Sequence, residues 1–142
     1  MTNTTDGNAD VVREFYRAIA ERDGDALGEL LNTRFTSDTE VIWPESLPYG
    51  GVVKGAAKLA KMFGGLLSAP TPVGPAGMTV ADLVADGDRI AAQLEFDWYA
   101  PGSDRAVPSG ALELWTFADG KVRSIRAYYW DTAACLATAA RD

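Results

Sequence analysis

The order of the sequence patterns predicts an α+β fold. Apolar residues recur at helical spacing in the first half of the chain, and four segments with strand character follow from residue 78 onward. Helices followed by successive antiparallel strands are typical of a domain in which helices cover one face of a sheet. We therefore predict three helices in the N-terminal half and a curved antiparallel sheet built mainly from the second half.

Three amphipathic segments predict the helices. The first helix is expected over residues 10–22, where apolar side chains recur on one side before Gly24 ends it. The polar residues 1–8 are expected to be disordered. Asp25 can cap a short second helix, and a third is expected over about residues 56–67. Together these helices supply one apolar layer for the sheet.

The strands are predicted from β-branched and aromatic runs bounded by turn residues. The first, over residues 36–43, is ended by Pro44, and a long loop follows it. The Asp-Gly pairs at Asp86 and Asp119 predict hairpin turns between later strands. These later strands are expected over residues 78–85, 89–99, 109–117 and 121–130.

Alternation along the strands predicts which face meets the helices. Between residues 89 and 99, every second residue from Ile90 to Trp98 is apolar, so this set is expected to point inward. The large rings predicted on the inner face are Trp43, Phe96, Trp98, Trp115 and Tyr129. So many rings in a short domain indicate a pocket. A core rich in aromatic residues is the alternative, since burial of such rings stabilises a fold without any pocket.

One acidic residue shares the predicted inner face. Period-two alternation places Glu113 on the same side as Trp115 and Phe117, and the hairpin partner strand adds Ile125 and Tyr129 to that side. An ionised carboxylate without a partner is costly in apolar surroundings, so such a group is usually paired or functional. Glu113 is therefore the first candidate for a functional residue.

Composition limits the partners that the protein can have. A chain of 142 residues without low-complexity tracts or linkers predicts one domain over residues 1–142. The net charge of -7 argues against binding to nucleic acid or to an anionic membrane, since both require a basic surface. No apolar run is long enough for a membrane span, and no secretory signal is recognised. A cytoplasmic protein is expected.

The residue types that are missing limit the chemistry. The chain has no histidine, so it cannot form a Ser-His-Asp triad or a His-ligated zinc site. An acid or base must be a carboxyl group, a phenol, a lysine or a thiol. The single cysteine, Cys135, lies in an alanine-rich tail segment and is expected to be a small apolar residue of a helix. We expect neither a metal nor a cofactor.

Several segments resemble the SnoaL-like branch of the nuclear transport factor two superfamily, which also contains ketosteroid isomerase and limonene epoxide hydrolase. The resemblance extends from about residue 10 to residue 136. It implies a cone formed by a curved sheet and three helices, a deep apolar pocket, and dimerisation through the outer face of the sheet. The segments that carry it are residues 11–19, 23–27, 47–51, 54–55, 117–122 and 128–131.

The resemblance carries over to the site only in part. Glu113 aligns with the carboxylic acid that stays protonated in ketosteroid isomerase. Trp43 stands where the isomerase has its aspartate base, and Phe15 stands at the tyrosine of the oxyanion pair, with Tyr16 next to it. Steroid isomerisation by that mechanism is therefore not expected. Asp131 lies close to the aspartate of the SnoaL-like aldol cyclases, but it is also a natural N-cap for the tail helix.

We therefore expect a cofactor-free enzyme that cyclises, isomerises or otherwise rearranges a small apolar molecule of polyketide-like or terpenoid-like metabolism. Epoxide hydrolysis is less expected, because the hydrolase's arginine and aspartates have no match. The alternative is a non-catalytic ligand-binding or dimerisation module. Tyr128 and Trp130 on the outer face predict a homodimer. The expected catalytic residues are Glu113 and Asp131, and the expected substrate-binding residues are Phe15, Tyr16, Trp43, Tyr49, Phe63, Phe96, Trp98, Trp115 and Tyr129.

Overall fold

A computed structural model describes residues 4–71 and 73–139. The described chain has the predicted α+β architecture, with a fourth helix after the last strand. The helices are α1 (Thr4–Ala20), α2 (Gly24–Arg34), α3 (Ala56–Leu67) and α4 (Thr132–Ala139), and the strands are β1 (Phe35–Trp43), β2 (Gly51–Lys54), β3 (Gly74–Asp86), β4 (Arg89–Tyr99), β5 (Ala106–Ala118) and β6 (Lys121–Tyr129). No described helix has the length and hydropathy that a membrane crossing requires.

The six strands form one curved, open sheet in the order β2-β1-β6-β5-β4-β3. The sheet is mixed rather than antiparallel as predicted, because β1 and β6 pair in parallel, with Val41 opposite Ile125. All other neighbouring strands are antiparallel. Register shifts in β1, in β3 and between β5 and β6 interrupt the ladders. Such irregularities bend strands, which lets the sheet curve around the helices.

The alternation predicted for the inner face is confirmed. In β4 the residues from Ile90 to Trp98 at every second position are buried, whereas the positions between them are exposed or half-buried. The β5–β6 hairpin pairs Glu113 with Ala127 and Trp115 with Ile125, so these four side chains share the inner face. The tight turn that sets this register contains Asp119 and Gly120, both with positive φ.

The N-terminal boundary differs from the prediction. We predicted disorder through residue 8, but α1 begins at Thr4, and residues 1–3 lie outside the described residues. Asn8 is only 1% exposed, and its Nδ2 donates a hydrogen bond to the carbonyl oxygen of Gly87 at 3.0 Å. This contact with the β3–β4 turn stabilises the first turns of α1, whose polar sequence shows no apolar helical pattern.

Two further boundaries depend on contacts that the sequence does not show. Asp23, not Asp25, caps α2, since its Oδ1 accepts a hydrogen bond from the backbone N–H of Ala26 at 3.1 Å. Strand β3 begins at Gly74, within a segment predicted as a loop, because its first residues pair with the end of β4. Strand β2 was not predicted; it follows the predicted loop and pairs with β1.

Candidate functional site

A cavity of about 240 Å³ lies between the inner face of the sheet and the helices α1 and α3. Its walls are mainly apolar, and its only titratable groups among the described lining residues are one carboxyl group, three phenols and one guanidinium at the rim. The lining residues are Phe15, Tyr16, Ile19, Ala20, Arg22, Val41, Trp43, Tyr49, Met62, Phe63, Leu66, Leu67, Val73, Pro75, Ala76, Gly77, Met78, Phe96, Glu113, Ile125 and Tyr129.

Most of the residues predicted from sequence line this cavity. They are Phe15, Tyr16, Trp43, Tyr49, Phe63, Phe96, Glu113 and Tyr129. Phe15 and Trp43 both contact the ring of Phe63 edge to face, with ring centroids 5.6 and 6.3 Å apart. Helix α3 thereby closes the cavity from the side opposite the sheet. The ring of Phe63 therefore packs against a ring of α1 and a ring of β1 in this wall.

Glu113 is the buried carboxyl group of the cavity. It lies on β5 and is 8% exposed. Its Oε1 accepts a hydrogen bond from the Tyr16 hydroxyl at 2.5 Å, whereas its Oε2 has no hydrogen-bond partner among the described residues and is not fully buried. Burial raises the pKa of Glu113 to about 7, and the hydrogen bond from Tyr16 acts in the opposite direction. Near neutral pH, the site therefore contains both the acid and its conjugate base.

The position of Tyr16 decides which oxygen of Glu113 carries the proton. Tyr16 lies on α1, and its hydroxyl oxygen accepts a hydrogen bond from Nε1 of Trp115 at 2.9 Å. Because the indole N–H is only a donor, the Tyr16 proton is directed to Oε1 of Glu113. A proton on neutral Glu113 is then held on Oε2, toward the cavity. Burial raises the pKa of Tyr16 well above its usual value, and the adjacent Glu113 raises it further, so Tyr16 stays protonated.

A second group of hydrogen-bonded side chains lies in the same cavity. The hydroxyl oxygens of Tyr49 and Tyr129 are 2.7 Å apart, and Nε1 of Trp98 donates a hydrogen bond to Tyr49 at 2.9 Å. Burial raises the pKa of Tyr49 to about 12. Burial also raises the pKa of Tyr129, and the neighbouring Tyr49 adds to that effect. Both phenols are therefore neutral hydrogen-bonding groups at physiological pH.

Three predicted site residues do not line the cavity. Trp98 and Trp115 are fully buried behind it, where their indole N–H groups donate to the hydroxyls of Tyr49 and Tyr16. Asp131 is exposed, and its Oδ1 accepts a hydrogen bond from the backbone N–H of Ala134 at 3.0 Å. It caps α4, which was the alternative to a catalytic role.

Sequence reasoning missed several lining residues. Met62, Leu66 and Leu67 share the side of α3 that carries Phe63, so helical spacing alone could have placed them. Val73 and residues 75–78 line the cavity because the chain enters β3 before the predicted strand start at Met78. Arg22 lies at the rim, where its Nη2 donates hydrogen bonds to the backbone oxygens of Leu67 and Ala69. No local signal marks that tertiary contact.

Other functional groups lie outside the cavity. Residues 4–71 and 73–139 contain no cluster of three or more His, Cys, Asp or Glu side chains that could hold a metal ion. Cys135 is buried on α4, and its Sγ is 3.8 Å from the Ser109 hydroxyl oxygen. Burial raises the pKa of its thiol. A buried thiol with a raised pKa is a poor nucleophile, in agreement with the structural role expected for it.

The chain belongs to the SnoaL-like domain family, whose match covers residues 12–125. Among solved structures it is similar to an NTF2-like protein from Burkholderia xenovorans, with 23% identity over 94% of this chain and 96% of that chain and a TM-score of 0.73. A protein from Jannaschia assigned as a SnoaL-like polyketide cyclase is 18% identical over 100% and 97% of the two chains, also with a TM-score of 0.73.

A third similar structure is that of TerC co-crystallised with polyporic acid, which is 23% identical over 93% of this chain and 97% of that chain, with a TM-score of 0.70. A search of the curated proteins finds no match. Likeness at these identities shows the NTF2-like fold that the sequence predicted. The chemistry of the site must be argued from its own residues.

Proposed function

We propose that the protein is an enzyme that moves a proton on a small, largely apolar molecule bound in the cavity, with Glu113 as the acid or base. The observation that carries this proposal is the position of Glu113. It is a buried carboxyl group with one oxygen held by Tyr16, the other oxygen open to the cavity, and a pKa of about 7. Perturbed carboxyl groups in apolar cavities are typical of acid–base sites.

The geometry allows the same carboxyl group to take and return a proton. Ionised Glu113 accepts a substrate proton on Oε2, and neutral Glu113 donates that proton from the same atom to another position of the substrate. Tyr16 stays bonded to Oε1 in both states, so the carboxyl group keeps its orientation. A positioned group whose pKa is close to the working pH contributes about 10² to 10⁴ to the rate.

The cavity walls indicate the substrate. A volume of about 240 Å³ with aromatic and aliphatic walls suits a compact, mostly apolar molecule. We propose a polyketide-like or terpenoid-like compound and a cyclisation, an isomerisation or a related rearrangement without a cofactor. Two similar folds support a cavity for small molecules, one assigned as a polyketide cyclase and one co-crystallised with polyporic acid. Closely packed walls would hold a flexible substrate in a folded, reactive conformation.

A second function is favoured by one specific contact. The Tyr16 hydroxyl already satisfies one oxygen of Glu113, which is how a structural buried carboxyl group is accommodated. The same cavity could then bind a small ligand without chemistry. The two functions differ in whether a bound molecule exchanges protons with Glu113.

Deuterium exchange into 2-tetralone in heavy water tests for this proton transfer without knowledge of the natural substrate. The probe is an apolar bicyclic ketone with acidic C–H bonds next to its carbonyl group. We expect the wild-type protein to accelerate exchange above the buffer rate, and Glu113→Gln to lose that acceleration by about 10² or more, since an amide keeps the shape but transfers no proton.

Glu29→Gln is the matched control, because Glu29 is exposed on α2 and does not line the cavity. It should exchange the probe at the wild-type rate. Binding of the probe is followed in parallel by tryptophan fluorescence, since Trp43 lines the cavity. A probe that binds to the wild-type protein but exchanges at the buffer rate would contradict the proton-transfer role and favour the binding module.

A further inference from the structure

Tyr49 and Tyr129 together carry one hydroxyl proton more than the hydrogen bond between them requires. Each phenol carries one O–H proton, and the single hydrogen bond between the two oxygens uses one of them. The indole N–H of Trp98 is a donor only, so it takes an acceptor position on Tyr49 and no proton from the pair. No other acceptor within residues 4–71 and 73–139 bonds to either hydroxyl. One O–H group is therefore free to donate to a ligand.

The two tyrosine groups of the cavity differ in this respect. Tyr16 also accepts from an indole N–H, but its own proton goes to Glu113. In the carboxyl cluster of Glu113, Tyr16 and Trp115, the protons of the phenol and of the indole are therefore both used within the cluster. The phenol cluster of Tyr129, Tyr49 and Trp98 retains an unused donor beside apolar walls, where an unsatisfied polar group costs free energy.

Packing around Tyr49 indicates which hydroxyl has the free proton. Gly74 has a φ of +71°, and a Cβ built on it would lie 3.3 Å from Cε1 and 3.5 Å from the hydroxyl oxygen of Tyr49. Two hydrogen-bond partners, Trp98 and Tyr129, already approach the Tyr49 oxygen, whereas the Tyr129 oxygen has Tyr49 as its one partner among the described residues. This leaves one order of donation, in which Trp98 donates to Tyr49 and Tyr49 donates to Tyr129. Chains of this kind polarise each successive hydroxyl.

We propose that the Tyr129 hydroxyl is a hydrogen-bond donor site for an acceptor oxygen of the ligand, such as a carbonyl or enolate oxygen, with Tyr49 and Trp98 as positioning residues. The ligand class is thereby narrowed to apolar molecules that carry such an oxygen, and pure hydrocarbons are disfavoured. The inference rests on the proposed use of the cavity for a small molecule, but it does not require proton transfer by Glu113.

A matched pair of probes tests this site, namely 1-tetralone and tetralin, which share a bicyclic frame and differ in the carbonyl oxygen. The dissociation constants of both are measured at pH 9 for the wild-type protein and for Tyr129→Phe. At that pH Glu113 is ionised and can only accept, so it cannot donate to the ketone. The phenols remain protonated, because burial raises the pKa of Tyr129 and Tyr49.

The measured quantity is the ratio of the two dissociation constants, since the ratio cancels changes in general affinity. We expect the wild-type preference for the ketone over the hydrocarbon to fall about three- to tenfold in Tyr129→Phe, the usual effect of one neutral hydrogen bond. Tyr128→Phe is the matched control on the outer face, where Tyr128 is exposed, and it should keep the wild-type ratio. Tyr49→Phe should give an intermediate ratio.

The other outcomes are decisive as well. Equal ratios in the wild-type protein and Tyr129→Phe would overturn the donor site but not the use of the cavity. Loss of the preference in Tyr49→Phe with retention in Tyr129→Phe would overturn the assignment to Tyr129. If neither probe binds to the wild-type protein up to its solubility limit, both this inference and the proposed small-molecule function fail.

Discussion

The carboxyl cluster and the phenol cluster are built from similar parts but hold their protons differently. In each, a buried indole N–H donates to a tyrosine hydroxyl at 2.9 Å, and that tyrosine is bonded to a third group in the cavity wall. The third group is Glu113 in one cluster and Tyr129 in the other. The indole fixes the tyrosine in both cases, so the third group alone sets the chemistry.

The difference teaches how one apolar cavity can hold two polar functions. Burial moves the pKa of Glu113 to about 7, so its charge changes near neutral pH. Burial also raises the pKa of Tyr129 and Tyr49, but from a value already above neutrality, so neither hydroxyl changes state. One physical cause, desolvation, thus makes a proton carrier of the carboxyl group and a fixed donor of the phenol.

The largest effect expected from this comparison is on stability. In the unfolded chain Glu113 ionises near pH 4.5, whereas in the folded protein it stays protonated up to about 7. Between these values the unfolded state binds fewer protons, so the free energy of unfolding falls as pH rises. Glu113→Gln should therefore match the wild-type stability below pH 4.5 and exceed it by on the order of 3 kcal/mol above pH 7.

Urea unfolding followed at several pH values measures this difference. Glu29→Gln, at an exposed position on α2, controls for the loss of one negative charge. A constant difference between Glu113→Gln and the wild-type protein across the pH range would show that Glu113 is not desolvated. The contrast between the two clusters would then have no electrostatic basis.

A smaller effect separates the two tyrosines that receive the indole bonds. The hydrogen bond from Tyr16 lowers the pKa of Glu113, so Tyr16→Phe should raise that pKa further. The acid dissociation constant of Glu113 should then fall about tenfold. Tyr49→Phe removes the equivalent hydroxyl of the other cluster and should leave the pKa of Glu113 near 7. The pH profiles of deuterium exchange into 2-tetralone report both values, and equal shifts in the two variants would mean that the clusters are coupled.

The smallest effect on either cluster is expected from substitutions on the outer face of the sheet. Leu112, Tyr128 and Trp130 are exposed there, Trp130 by 86%, and they border a groove on the outer face of the sheet. An exposed aromatic face of this size predicts a homodimer. Trp130→Ser should weaken the dimer in sedimentation experiments without changing the pKa of Glu113.

Val52→Ser is the matched control for that experiment, because Val52 is an exposed apolar residue on the edge strand β2. It should leave the association unchanged. A wild-type protein that sediments as a monomer at tens of micromolar would contradict the predicted dimer. A change in the pKa of Glu113 on dissociation would show that the outer face and the carboxyl cluster are linked.

The parts of the fold that local patterns encode could be predicted from sequence. Period-two alternation placed Phe96 and Glu113 on the inner face, and helical spacing placed α3 within its observed limits. The parallel pairing of Val41 with Ile125 could not be predicted, because it joins two strands that are far apart in the sequence. Long-range pairing of that kind leaves no signal in either segment.

The site was predictable only where one element decides a residue's surroundings. Alternation identified Glu113, but its partner depends on how α1 crosses the sheet. That crossing brings Tyr16 to hydrogen-bond distance and turns the neighbouring Phe15 toward Phe63 and Trp115. The sequence likewise placed Trp98 on the inner face without showing that Tyr49 would lie between it and Tyr129.

Direct titration of Glu113 tests the central claim, that this carboxyl group is desolvated and changes charge near neutral pH. Carbon-13 NMR of protein labelled at the glutamate side-chain carboxyl carbon, with Glu113→Gln to identify the resonance, gives the pKa of that one group. The account predicts a midpoint near pH 7. A midpoint at or below the ordinary glutamate value of 4.5 would contradict it.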